Sequence, residues 1–140
     1  MPAIAPASPP APRLVAAMCR GQRIAVECPL WCVRDHSRED LAFLEDLSHE
    51  GEEIALPAPE FSGVSAVLIS SIREWPFVKD EEKGLPYLGF DATGFGDVAA
   101  LAPAAALAFI DQAAAHLEKM RAQARQLAEV QRDAVQPTED

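Results

Sequence analysis

The period of the apolar positions changes along the chain, and each change predicts an element. Arg23-Ile24-Ala25-Val26 alternates as a short strand that runs into Cys28. Leu41, Leu44 and Leu47, with Phe43, return to helical spacing, and Ser37-Arg38-Glu39-Asp40 before them reads as a helix start capped by the Ser37 hydroxyl. Gly51 would close this helix, which carries His49 near its end. Ile54 to Leu56 is a brief extended piece ahead of Pro57 and Pro59. Val64 to Trp75 is the longest β-type run, with Val64, Ala66, Leu68 and Ile72 on one side. A charged turn from Lys79 to Gly84 leads to a return strand, Tyr87 to Phe90, which Pro86 places at an edge. Gly94 and Gly96 end it, and Pro103 suits the first turn of a long Ala-rich helix reaching about Asp133.

These elements predict an α+β fold: a small antiparallel sheet of three to four strands, an N-terminal zinc knuckle and a long C-terminal helix. The expected organisation is an Ala/Pro-rich leader over 1–21, one domain over 22–133 and a tail over 134–140. Within the helix, Ile110, Ala113, Leu117, Met120, Ala124 and Leu127 are spaced alternately three and four apart, the pattern of a coiled-coil seam. Leu117, Met120 and Leu127 are therefore candidate contacts for a second copy of the chain. The same stripe serves equally to cover the sheet.

Composition is that of a globular protein, with 49% hydrophobic and 24% charged residues in 140. A chain of this size buries one modest core, to which a metal adds useful stability. The formal charge of −10 disfavours direct binding to nucleic acid and to anionic membrane surfaces. Eight carboxylates lie between Ser37 and Glu60 against Arg38 alone. A basic protein partner suits that stretch, which as a solvated face would also simply keep the chain soluble. No run has the length of a transmembrane helix or the pattern of a secretory signal, so the expected location is the cytoplasm.

Three cysteines fit a disulfide framework badly and metal thiolate chemistry in a reducing compartment better. Cys28, Cys32, His36 and His49 fall within 22 residues, with gaps of three, three and twelve. Two thiolates and two imidazoles suit tetrahedral zinc, with iron a second occupant of the same donors. Pro29 biases Cys28 toward an extended backbone, from which the chain can curl Cys32 back toward the same ion. A reversible disulfide and unrelated buried thiols are the competing readings, and Cys19 is a substitute ligand. His116, on the long helix, has no metal-binding partner one turn away. Trp31 within the knuckle reads as a plug over the thiolates or as a binding anchor, and Trp75 is a second candidate anchor.

The segment CPLWC at 28–32, His36, His49 and a helix opened by LAPAAALAF at 101–109 resemble a family of small actinobacterial proteins. These begin with a Cys-Pro-x-Trp-Cys segment and end in a Leu-x-Pro-led, Ala-rich helix. The likeness spans roughly Glu27 to Leu117 and departs in the region after Cys32, where the family spacer is shorter and more polar. It implies a zinc-type α+β domain and no particular activity.

The expected function is a zinc-stabilised protein-interaction or regulatory module acting through its acidic face or its C-terminal helix. Two other classes compete with it. A three-ligand zinc on Cys28, Cys32 and His36, with Glu39 or His49 as base, would serve a hydrolase or deaminase-like enzyme. The ligand order nevertheless differs from the zinc deaminase signature, and no phosphate loop or nucleophile elbow is present. A DNA-associated regulator or nucleic-acid mimic is the other, and its only basic cluster is Arg13, Arg20, Arg23 and Arg34.

Overall fold

In a computed structural model that describes residues 11–135, the chain opens with a hairpin of β1 (Arg13–Cys19) and β2 (Gln22–Cys28). The strands pair in unbroken antiparallel register from Arg13↔Cys28 to Cys19↔Gln22. Their two-residue loop, Arg20-Gly21, has φ of 52° and 74°. Positive φ at both positions is the signature of a type I′ turn, whose twist matches that of the flanking strands. Val15 and Ala17 lie opposite Val26 and Ile24, and all four pack with Leu41 and Leu47 as the apolar core.

The expected leader over 1–21 is thus corrected from Arg13 onward. Pro12 is the last proline before the apolar run Leu14 to Cys19, and pairing with β2 supplies the burial that an Ala-rich segment lacks alone. The rest of that leader, residues 1–10, and the tail from Gln136 lie outside the described residues.

The helix expected from Ser37 to Gly51 is absent. Two single 3-10 turns, His36–Arg38 and Leu44–Asp46, alternate with β3 (Asp40–Leu41) and β4 (His49–Glu50). Asp35, not Ser37, is the cap: its Oδ1 accepts from the Ser37 backbone N–H at 3.0 Å. β3 adds in parallel to β1, Met18 opposite Asp40, and β4 pairs with the long strand of a second sheet. Spacings of three suit a 3-10 turn as well as a helix. A continuous helix would also separate His36 from His49 by about 20 Å at about 1.5 Å per residue. The expected helix and a shared ion were incompatible, and Leu47, fully buried, takes the core position instead.

The second sheet has five strands rather than belonging to a single sheet of three to four. β5 (Ile54–Glu60), β6 (Gly63–Glu74), β7 (Tyr87–Asp91) and β8 (Ala99–Leu101) join β4, with β6 at the centre. β5 extends through Pro57 and Pro59, which a strand paired only with β6 tolerates along its open edge. The register shifts between Ile54↔Ser70 and Leu56↔Val67, placing one extra residue on β6. Within this bulge Leu68 takes φ of 49° and its N–H turns to the Ala92 carbonyl at 3.1 Å.

The chain divides into two compact units, one ending at Ala102 and one beginning at Pro103. The second unit carries α1 (Pro103–Val135), close to the expected helix. The fold is therefore α+β. Among the described residues no helix is long and apolar enough to cross a membrane.

Candidate metal centre

Three separate stretches of backbone deliver the four ligand residues. β2 ends on Cys28, and a tight turn closed by the Cys32 N–H to the Pro29 carbonyl at 3.1 Å folds the second cysteine back. His36 opens the first 3-10 turn. His49 starts β4, fixed opposite Glu74 of β6, while the Val33 N–H reaches the Glu50 carbonyl at 2.9 Å and ties the cysteine turn to the same strand.

All four side chains are buried, and their ligand atoms lie within 4.8 Å of one another. Cys28, Cys32 and His49 share with Leu47 the position of the largest fully buried side chains described. His36 Nε2 stands 3.6 Å from Cys32 Sγ and 3.3 Å from His49 Nδ1. A tetrahedral ion bound about 2.3 Å from sulfur and about 2.0–2.1 Å from nitrogen has edges of about 3.4 Å between nitrogens and about 3.6 Å between sulfur and nitrogen. These two spacings match such edges, and with all four ligand atoms inside 4.8 Å the residues could hold one ion. The nitrogen–nitrogen distance is long for a direct hydrogen bond. The cysteines are free thiols.

Burial, together with the neighbouring Cys32 thiol, pushes the Cys28 thiol up from its ordinary range, and Arg13 opposes the shift. His36 is held low by burial and by the Arg34 charge, against the pull of Glu39 and Asp35. His49 is lowered by burial and then by His36, partly offset by its hydrogen bond to the Glu27 backbone carbonyl. Both imidazoles are thereby kept neutral, the state in which they ligate a metal. The Glu27 bond is the outer partner that orients a ligating histidine. His36 Nδ1, by contrast, is buried without a partner.

Two arginines missed by the sequence reading support this cluster. Arg13 donates from Nη2 to the Cys32 carbonyl at 2.8 Å. Arg34 spans the loop that carries both histidines, donating to Ser48 Oγ at 2.6 Å, Glu50 Oε1 at 3.2 Å and, from Nε, Glu39 Oε1 at 3.0 Å. The signal for Arg34 was its place as the one cation between Cys32 and His36, among carboxylates that only the fold converges upon it.

Trp31 sets its ring edge-on to His49, centroids 6.4 Å apart, so it packs on the cluster. Trp75 donates from Nε1 to the Tyr87 hydroxyl at 2.8 Å. Cys19 closes β1 and is no part of the cluster. Leu117, Met120 and Leu127 lie along α1.

A family model described as a domain of unknown function, DUF6907, matches residues 13–129. The chain belongs to the DUF6907 family. No curated protein and no solved structure matches it. The DUF6907 match opens at the first residue of β1 and so takes in Arg13 and the whole ligand set.

Proposed function

We propose that this DUF6907 domain is a zinc-stabilised module that works by contact with another protein. The observation that carries the reading is the buried quartet itself, with all four ligand atoms within 4.8 Å of one another, because four protein ligands would leave no open coordination position for substrate or water. Two thiolates and two imidazoles select zinc over harder cations. They also suit a reducing compartment such as the cytoplasm.

On this reading the two candidate bases are otherwise engaged. His49 stands at the fourth corner rather than beside an open site, and Glu39, the other candidate base, is bound by the Arg34 guanidinium. Nucleic-acid binding is disfavoured by charge and by arginine use. Arg13 and Arg34 are spent inside the fold, and Arg20 donates to the Ala42 carbonyl at 2.8 Å while covering the Phe43 ring. The acidic stretch suits a basic protein, and the stripe through Leu117, Met120 and Leu127 suits a second copy of the chain.

Elemental mass spectrometry of freshly purified protein tests the metal reading, reporting iron as readily as zinc. About one zinc per chain is expected, lost in each of Cys28→Ala, Cys32→Ala, His36→Ala and His49→Ala together with cooperative unfolding. Wild type without metal, or a His49→Ala variant that stays folded and keeps zinc, would remove the four-ligand reading.

A further inference from the structure

A groove of about 500 Å³ opens between the end of β2 and the segment that follows β6. This size is within the range of ligand pockets. Its lining includes Pro29, Pro76, Phe77 and His49, and its charged lining residues are two carboxylates, Glu27 and Glu74. No cation lines it, and among the described residues neither carboxylate makes an ion pair. The carboxylates of the Arg34 loop are already matched from within. A second groove, beside Trp75, carries Glu82 and Lys83 together and so selects no sign of charge.

We infer that the first groove takes an arginine side chain presented by a basic protein partner, with the half-buried Glu74 as the anion that receives it. This rests on the protein-contact reading above and names the partner's recognition chemistry. A carboxylate in a groove also lined by prolines and a phenylalanine favours arginine over lysine. The guanidinium is planar and weakly hydrated, stacks on aromatic faces and forms paired hydrogen bonds to a carboxylate, whereas an ammonium keeps its water. The overall charge of −10 steers a basic segment toward the molecule, and the groove supplies the selectivity that a diffuse acidic face lacks.

The test is an amide-shift titration of the full-length protein, after elemental analysis of the same sample, with acetyl-Gly-Arg-Gly-amide and its lysine counterpart. Saturable shifts at Glu27, His49, Glu74 and Phe77 are expected with the arginine peptide and weaker ones with lysine. Glu74→Gln should weaken binding by about tenfold or more, the loss of a charged hydrogen-bond partner. Glu81→Gln, which removes the same charge from the Lys79–Gly84 turn, should leave it within about twofold. Equal losses in the two variants, shifts centred on the acidic stretch 39–53, equal binding of lysine, or no saturable shift would each overturn the inference. Zinc content is read before any peptide is added, so failure of the metal reading is seen separately. The peptide shifts report on the groove whatever metal is found.

Discussion

At the scale of single residues, the cluster is two imidazoles held toward their neutral form and a thiol held toward its protonated form. Burial lowers His36 and His49, so the folded state binds fewer protons than the unfolded chain near the ordinary imidazole range. Their contribution is therefore present above about pH 6.5 and is lost as pH falls below it. Cys28 is shifted upward, and loading a metal must drive its proton off. Both effects make acid release the ion. A titration from pH 8 to pH 5, followed with a metal-sensitive dye, should show loss of metal with more than one proton taken up per ion. Release of the ion with no proton uptake would contradict thiolate and imidazole ligation. Arg34 presents a separate case. Replacing it with methionine leaves Glu39, Glu50 and Ser48 facing one another without their common donor. Arg34→Met should cost about 1–2 kcal/mol in denaturant unfolding while metal content stays near that of the wild type.

At the scale of elements, what could be read from the sequence was whatever side-chain chemistry alone decides. The gathering of Cys28, Cys32, His36 and His49 was legible because a shared ion would select residue types, whatever backbone carries them. β2, β6, β7 and α1 were legible from periodicity or from bounding prolines and glycines. β1 was not, because Leu14 to Cys19 is apolar without alternation and the prolines just before it dominate the composition; the burial of Val15 and Ala17 comes from β2 and Leu47, partners invisible locally. The 36–50 segment was misread because three leucines at spacing three do not distinguish a helix from successive 3-10 turns, and only the demand that His36 meet His49 does. Deleting residues 1–21 should accordingly abolish both metal retention and amide dispersion, where a true leader would be removed without effect. The loop after β7 makes a second prediction. Asp91, buried, accepts from the Gly94 N–H at 2.9 Å through Oδ1 and from the Gly96 N–H at 2.9 Å through Oδ2. Gly94 has φ of 82°, and an added Cβ would stand 2.4 Å from the Ala66 carbonyl oxygen. Asp91→Ala should cost about 2–3 kcal/mol in thermal or denaturant unfolding, with Asp91→Asn costing less because one side-chain acceptor remains.

At the scale of the whole molecule, the apolar core is small for the surface it must organise. It consists of Ala17, Val26 and Leu47, with Val15, Ile24 and Leu41 around them, none larger than leucine. Small domains usually hold only about 5–15 kcal/mol in total, while a structural zinc contributes an apparent 10–16 kcal/mol in small metal-dependent folds. On the zinc reading the ion thus rivals every other source of stability in the unit ending at Ala102, and the ligand cluster is its true centre. Three of the four largest fully buried side chains being ligands is the structural expression of that balance. Chelation should therefore unfold this unit rather than loosen one loop. The measurement is an amide correlation spectrum before and after addition of a strong chelator. Collapse of dispersion in strands as far from the ligands as β7 and β8 is expected, with recovery when zinc is returned. Local changes confined to residues 28–50 would mean that the sheets stand on apolar packing alone, and the ion would then be an accessory to the fold.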